Sequence, residues 1–205
     1  MSLRITRLIV FGMALPLLTA CLNLGGSPST ATRFFLLESR PAAALTTAAT
    51  DAPAEFTLGV GPVTIPGYLD RPQIVTRADG NQLLVDDFRQ WAEPLRASIT
   101  RVMREDLALS TGARHVYAHP WNRSAAIDFQ VSLDVIRFEA DTAGAVTLIA
   151  VWRVFDNDGR RSTLLHEQRS TIIRPLDGAN SVDDMSTALA DLSQEIAGIL
   201  VDISR

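Results

Sequence analysis

A strict alternation of apolar and polar residues over residues 127–135 constrains the fold more than any other feature of the sequence. The apolar positions are Ile127, Phe129, Val131, Leu133 and Val135. A period of two predicts a β-strand with one face in a core and the other beside polar neighbours. The alternation slips at Val135-Ile136 and resumes at Phe138, which predicts a β-bulge.

Two further long strands are predicted over residues 146–155 and 164–173, and with the first strand they form an antiparallel meander. Shorter runs predict strands at residues 33–38, 56–65, 73–77, 82–85 and 115–117. One of these runs contains Gly59-Val60-Gly61-Pro62. This motif is not typical of a phosphate loop, because Pro62 and a β-branched run follow where a helix would have to begin.

Two segments have apolar residues at three- and four-residue spacing, which predicts amphipathic helices. The first covers residues 87–110. Because Pro94 fits only in a first turn, the regular helix is predicted to begin near Trp91, and Gly112 ends it. The second covers residues 182–203, with Ser181 as its cap. These elements predict an α+β fold, in which a mainly antiparallel sheet carries two amphipathic helices packed on one face.

The N-terminus has the organisation of an export signal. Two arginines precede an apolar run over residues 8–18, and small residues follow. This run has about half of the roughly 20 residues that a membrane-spanning helix needs. Residues 18–21, Leu-Thr-Ala-Cys, resemble the bacterial lipobox, which implies cleavage between Ala20 and Cys21 and acylation of Cys21 with lipid such as palmitate. The alternative is a secreted protein with an unmodified cysteine.

Cys21 is the only cysteine, so no intramolecular disulfide can form. Removal of the signal peptide, residues 1–20, leaves a lipidated tether over residues 21–32 and a single periplasmic α+β domain over residues 33–205. Leu22 stands where lipoproteins kept in the inner membrane have an aspartate, which favours the outer membrane.

The mature chain is mildly acidic. The sequence contains no lysine, and the signal contains two of the 19 arginines and none of the 23 acidic residues. The remaining 17 arginines and 23 acidic residues give a formal charge of −6. An acidic chain without a basic block is a poor nucleic-acid binder, and no electrostatic force draws it to anionic lipid. Membrane contact is therefore expected through the acyl chains.

No catalytic or metal site is predicted. A hydrolase needs a nucleophile with a positioned base, and Cys21 is used for acylation. His115 and His119 stand four positions apart on an extended segment, about 13 Å, which is too far to share a metal ion. His166 lies within a predicted strand. We therefore predict that the chain is not an enzyme and has no cofactor.

Aromatic and apolar side chains in predicted loops, and one at the start of the first helix, are candidates for binding a partner. Loops often carry function, and Tyr, Trp and Arg are favoured at the centres of interfaces. The candidates are Tyr68, Leu69, Asp70, Arg71, Pro72, Trp91 and Trp121. The alternative is that these residues only cover one end of the sheet.

The same segments resemble the PqiC/YmbA lipoproteins, also described as the auxiliary lipoprotein component of ABC-type transport systems. The resemblance is carried by residues 59–63 (GVGPV), 68–77 (YLDRPQIVTR), 91–95 (WAEPL) and 120–121 (PW). It extends in order over nearly the whole mature chain, and the run at residues 68–77 is its most specific part.

This resemblance implies an outer-membrane lipoprotein whose domain faces the periplasm and docks an MCE-type protein. A permease and an ATPase serve that partner, and such systems move lipids between the two membranes. A ring-like homo-oligomer is compatible with the family. One alternative is a carrier that holds lipid in its own pocket. Another is an envelope enzyme, which would need a polar cleft containing His115, His119 or His166.

Overall fold

The computed structural model describes residues 30–40, 54–122, 124–157, 161–177 and 180–205. The predicted signal peptide, the cleavage site at Ala20, the lipidated Cys21 and residues 22–29 of the tether lie outside these ranges. Contacts between Cα atoms divide the chain into Met1–Ala31 and Thr32–Arg205, and the second unit contains the helices and strands described below. No helix in the described ranges is long and apolar enough to cross a bilayer.

Eight strands of one sheet and two helices make up the described fold. The strands are β1 (Arg33–Phe35), β2 (Ala54–Thr64), β3 (Gln73–Arg77), β4 (Leu83–Trp91), β5 (Ala113–Ala118), β6 (Phe129–Asp141), β7 (Ala145–Asn157) and β8 (Ser162–Pro175). The helices are α1 (Leu95–Thr111) and α2 (Ser181–Ile203).

Strand β6 is the centre of the sheet. One edge of β6 pairs antiparallel with β7, and β7 pairs antiparallel with β8, so the predicted meander is confirmed. The register between β6 and β7 shifts between Val135 and Arg137, which confirms the predicted bulge. Two strands share the other edge of β6: β2 pairs with residues 129–134 and β3 with residues 140–141, both in parallel.

The sheet is mixed, so the prediction of a mainly antiparallel sheet is wrong. Besides β2 and β3 on β6, β5 pairs parallel with β2, and β1 pairs parallel with β4. The predicted hairpin of β3 and β4 is antiparallel. Alternation reports which face of a strand is buried, but it does not report the direction of the strand. Parallel neighbours need a long connection, and the chain between β2 and β5 supplies one through β3, β4 and α1.

The first helix begins later than predicted, both for the whole segment at residue 87 and for the regular helix near Trp91. Strand β4 continues to Trp91, and α1 starts at Leu95. Pro94 disfavours helical backbone at Glu93, the residue before it. Residues 89–91 pair with β1 instead. The apolar residues that predicted a helix over residues 87–110 therefore lie partly on strand β4 and partly on helix α1.

The C-terminal end of α1 agrees with the sequence, whereas the cap of α2 differs. Helix α1 ends at Gly112, whose φ of 66° lies in the left-handed region. The cap of α2 is Asn180 and not Ser181, because the Val182 N–H donates to Asn180 Oδ1 at 3.2 Å. The Arg89 guanidinium donates to the same oxygen at 3.3 Å, which joins β4 to the start of α2.

The core lies between the two helices and one face of the sheet. The helices pack against each other; α1 also contacts β2 and β5, and α2 contacts β6, β7 and β8. Both layers contribute to the largest fully buried side chains, which include Trp152, Phe138, Leu133, Leu148, Ile99, Met103, Leu107, Met185 and Leu189. This is an α+β arrangement, as the sequence predicts.

Residues 36–40 follow β1 and contact both helices. The Glu38 N–H donates to the Ser186 hydroxyl on α2 at 3.1 Å. The Ser39 hydroxyl donates to Asp106 Oδ1 on α1 at 2.6 Å. Asp106 is buried, and its Oδ2 has no hydrogen-bond partner among the described residues. Burial raises the pKa of Asp106, although the Ser39 hydroxyl acts in the opposite direction.

The substitution Asp106→Asn should make stability less dependent on pH. The raised pKa means that the folded chain keeps this proton at pH values where the unfolded chain has lost it. The free energy of unfolding therefore falls as the pH rises from about 3.8 to the raised pKa, by at most about 1.4 kcal/mol per pH unit. Asparagine does not titrate and can still accept from Ser39. Urea unfolding at a series of pH values measures the slope, and an equally steep fall in the variant would assign it to other groups.

Candidate partner-binding surface

Residues 65–72 form an excursion between two strands that follow the same edge of β6. Strand β2 leaves this edge after pairing with Asp134, and β3 returns to it at Ala140 in the same direction. The chain turns within the excursion, where the Leu69 N–H donates to the Pro66 carbonyl at 2.9 Å. The Tyr-Leu-Asp-Arg-Pro run therefore lies on a loop beside the middle of β6.

Tyr68 fixes this loop to a buried carboxylate. Glu139 follows the core residue Phe138, so it points to the opposite face of β6, yet only 1% of Glu139 is exposed. The Tyr68 hydroxyl donates to Glu139 Oε2 at 2.8 Å, and Arg77 Nε donates to Oε1 at 2.7 Å. Arg137 Nε forms a second ion pair with Oε1 at 2.9 Å. Both carboxylate oxygens thus have partners.

This cluster changes the acid–base properties of its members. Burial is the main cause that raises the pKa of Tyr68 to about 12, and the hydrogen bond to Glu139 adds to it. The same carboxylate raises the pKa of Arg77 through its hydrogen bond. Tyr68 is therefore a neutral donor near pH 7. A buried carboxylate needs such partners, so the cluster holds one end of the loop in place.

Leu69 and Trp91 support the loop from the core. Both side chains are buried. The Trp91 N–H donates to the Pro72 carbonyl at 2.7 Å, which joins the end of the loop to the end of β4. These two candidate residues position the loop, and a partner would reach most of their surface only after a rearrangement.

The exposed tip of the loop consists of Asp70, Arg71 and Pro72. Asp70 Oδ2 accepts a hydrogen bond from Arg96 on α1 at 2.8 Å, and both side chains of this ion pair are half exposed. Exposed pairs contribute about 0–1 kcal/mol, so these two groups can exchange partners at little cost. Arg71 forms no ion pair with any other described residue.

Two open grooves border the tip and share Asp70 and Pro94. The larger groove has a volume of about 520 Å³, and its charged and polar lining includes Asp70, Arg96, Thr100, Arg104 and His119. The three α1 residues are spaced by four, so they follow one face of the helix. The smaller groove has a volume of about 320 Å³ and lies beside Arg71, Pro72 and Trp91.

Trp121 lies on a different loop. Its ring contacts the ring of His119, and His119 lines the larger groove. Trp121 packs on Gly59 of β2, where an added Cβ would lie 2.8 Å from the indole ring. Gly61 has a φ of 116°, and an added Cβ there would lie 2.6 Å from the His119 side chain. The His119 and Trp121 rings meet edge to face with 5.3 Å between centroids. The two glycines therefore serve close packing.

The sequence does not identify Arg96, Arg104 and His119 as parts of this surface. It also does not identify Glu139 as the partner of Tyr68. The available signal for the two arginines is their regular spacing on the polar face of a helix. The signal for Glu139 is a charged residue placed directly after a core position of a strand. Nothing in the sequence brings His119 close to α1, because that proximity depends on the fold.

The three histidines lie in separate aromatic surroundings. His166 stacks on Trp152 with 4.9 Å between ring centroids, whereas His119 meets Trp121. His115 lies on β5. Within the part of the chain that the structure describes, no three His, Cys, Asp or Glu side chains are arranged to hold a metal ion. The arrangement at the tip offers charges and concave surface for binding.

A known protein family matches the part of the sequence that forms this surface. The sequence model of the family described as the ABC-type transport auxiliary lipoprotein component matches residues 35–197. The chain belongs to this family. The match confirms the resemblance to the PqiC/YmbA lipoproteins and includes the loop, both grooves and most of α2. The family is one of transport auxiliary lipoproteins and not of enzymes.

Solved structures share the fold of this auxiliary lipoprotein. Protein XCC0632 from Xanthomonas campestris, of the family DUF330, has a TM-score of 0.67 and 19% identity, covering 83% of this chain and 95% of that one. An uncharacterized protein has a TM-score of 0.61 and 17% identity, covering 84% of this chain and 97% of that one. At these identities the likeness shows the fold alone. A comparison with curated proteins finds no match.

The auxiliary lipoprotein should contain one tyrosine that resists ionisation. The chain has two tyrosines, so Tyr117→Phe leaves Tyr68 as the only phenol. We expect phenolate absorbance to reach half its final value near pH 12, because burial and Glu139 favour the neutral form. Adding Glu139→Gln should move the midpoint toward the ordinary value of 10.0. Circular dichroism at each pH checks folding, and a midpoint near 10 in the folded single variant would contradict the cluster.

Proposed function

We propose that this chain is the membrane-anchored docking subunit of an MCE-type, ABC-linked system that moves lipids between the two membranes of the envelope. Cys21, released by cleavage after Ala20, holds the chain to the outer membrane through its acyl chains. The domain of residues 33–205 faces the periplasm. Its partner is an MCE-family periplasmic protein that a permease and an ATPase serve.

The main support for this proposal is that the tip is exposed while both of its ends are fixed by hydrogen bonds. Asp70, Arg71 and Pro72 are open to solvent, while Tyr68 and the Pro72 carbonyl fix the two ends of the run. A loop that is already ordered loses little conformational entropy when it binds, which favours affinity. Arginine is also enriched among residues that dominate interfaces. The tip is therefore well suited to bind a protein partner.

The larger groove extends this surface along α1. Its lining has three arginines, Arg96, Arg101 and Arg104, and one carboxylate, Asp70, whereas the mature chain, with 17 arginines and 23 acidic residues, has a formal charge of −6. A local reversal of charge steers complementary partners to the site and disfavours others. We therefore expect an acidic segment of the MCE protein to dock on this groove. In a homo-oligomer, the tip and Trp121 would instead face neighbouring copies.

The form of the grooves favours docking over a lipid carrier. Both grooves are open to solvent, and charged side chains are part of their linings. A carrier pocket encloses most of its ligand. The grooves of 520 and 320 Å³ lack that enclosure, so they suit a segment of a protein better than an acyl chain.

The substitution Arg71→Glu should weaken binding of the MCE partner by about tenfold or more, the effect of about 1.4 kcal/mol. The measurement is recovery of the MCE protein with tagged full-length chain from solubilised envelopes, quantified by mass spectrometry. Arg169→Glu is a matched control, because Arg169 is also an exposed arginine but lies on β8. Equal recovery with both variants would remove the tip from the interface. Failure to recover any MCE protein with the unmodified chain would refute the docking role.

The substitution Cys21→Ala should abolish acylation and release the chain from the membrane or leave the signal peptide uncleaved. A lipidated cysteine with two or more acyl chains anchors a protein stably, whereas a single chain does so only marginally. Incorporation of radiolabelled palmitate, together with fractionation of inner and outer membranes, tests both the anchor and its location. Palmitate incorporation that survives the substitution would contradict the assigned site, and an inner-membrane location would contradict the sorting assignment.

A further inference from the structure

An exposed apolar patch lies on β1, the residue after β1, and β4, and its side chains line neither groove. It consists of Phe34, Leu36 and Phe88, whose exposed fractions are 65%, 45% and 47%. Exposed single apolar residues are common, whereas a group of large ones forms a patch of the kind that is often functional. Nothing in the tip or the grooves uses these residues, so the patch is a separate feature.

Strand pairing brings the patch together. Phe34 on β1 is the register partner of Gln90 on β4, and Phe88 lies two residues before Gln90. Leu36 likewise lies two residues after Phe34. Side chains two positions apart on extended backbone point to the same face, so Phe34 and Leu36 share one side. Phe88 lies in the irregular part of β4 between Asp86 and Gln90, and it adjoins Arg89, the register partner of Arg33. The neighbouring Phe35 packs against the core on the other side.

The position of the patch in the chain points to a lipid surface. Phe34 is 13 residues after Cys21, so an extended connection between them spans at most about 45 Å. Strand β1 is the first described strand of the domain, and it lies at an edge of the sheet. The patch is thus the part of the domain surface that is closest along the chain to the acyl anchor.

The size of the patch argues against a second copy of the chain as the main occupant. At 150–250 Å² for a whole aromatic side chain, the exposed parts of these three residues amount to roughly 300 Å². A stable protein interface needs about 800 Å² from each partner. Burial of a few aromatic and aliphatic side chains at the level of lipid headgroups needs no such area, because the acyl anchor already holds the protein there.

The charges beside the patch indicate what kind of lipid it meets. Asp86 and Asp87 are exposed and adjoin Phe88 in β4. The nearby Arg33 and Arg89 instead stack on the Phe35 ring, at 6.0 and 5.0 Å from its centroid. Exposed carboxylates are repelled by anionic lipid, so the patch suits a zwitterionic surface and contacts it through apolar groups.

We propose that Phe34, Leu36 and Phe88 insert into the interfacial layer of the bilayer in which Cys21 is anchored, so that the domain has a second membrane contact beside its acyl chains. This inference rests on the lipid anchor of the proposed function, but it does not depend on the MCE partner. It orients the domain with the edge formed by β1 and β4 toward the membrane.

A single fluorescent label tests the proposal. Cys21 is the only cysteine and its thiol is consumed by acylation, so Phe34→Cys supplies the sole reactive thiol of the mature chain. Ile173→Cys is the matched control, because Ile173 is 63% exposed and lies on β8. Each acylated variant is labelled with a nitrobenzoxadiazole dye and reconstituted into phosphatidylcholine vesicles containing doxyl-labelled lipid. Intact mass measurement verifies the acyl chains.

We expect a blue-shifted emission and several-fold stronger lipid quenching for the label at position 34 than for the label at position 173. Equal quenching in acylated protein would overturn the proposal and leave the anchor intact. A blue shift at position 34 without lipid quenching, growing with the protein-to-lipid ratio, would also overturn it and show that a second copy covers the patch. A mass without acyl chains would refute the anchor and, with it, this proposal.

Discussion

The use of both edges of strand β6 is the constraint on which the rest of the structure depends. One edge is occupied along its length by β7, so β2 and β3 must share the other. Because both run parallel to β6, the chain between them leaves the edge and rejoins it in the same direction. The loop at residues 65–72 is the result. Helix α1 then connects β4 to β5, which places its arginines beside that loop.

Two ion pairs that differ in solvent exposure lie at this loop, one at its base and one at its tip. The Glu139 carboxylate is nearly closed to solvent and is paired with both Arg77 and Arg137, so removing these partners would leave a buried charge uncompensated. The pair of Asp70 with Arg96 is half exposed, and it contributes little to stability. The root of the loop is therefore fixed, whereas the charges at its tip are free to rearrange. This combination suits recognition by a rigid frame with adaptable contacts.

The sequence predicts those parts of the fold that depend on local pattern. The meander, its bulge at Val135 and the C-terminal helix follow from the periods of two and 3.6 that a strand and a helix impose. Strand direction is not encoded in a period, so the parallel pairs of β2 with β5 and β6 could not be predicted. The start of α1 depends on the pairing of residues 89–91 with β1. This is a contact between distant parts of the chain, so a local sequence pattern does not report it.

The candidate site also has a part that follows from the local sequence and a part that depends on the tertiary structure. The loop itself is visible in the sequence as a run of large and charged residues between turn signals, but its supports at Glu139 and Trp91 and its neighbours on α1 come from distant segments. A surface assembled from several elements leaves no contiguous motif. Only the spacing of Arg96, Thr100 and Arg104 hints at it, and that spacing is common to many solvated helix faces.

The contact of Gly59 with Trp121 links the evolution of two separated positions. Because a Cβ at position 59 would lie 2.8 Å from the indole, a side chain at position 59 would force Trp121 to shift. Homologues that replace one of them are expected to have replaced the other, with a smaller residue filling the place of the indole. An alignment of the family would show this as covariation between the start of the GxG motif and a loop roughly sixty residues further along the chain.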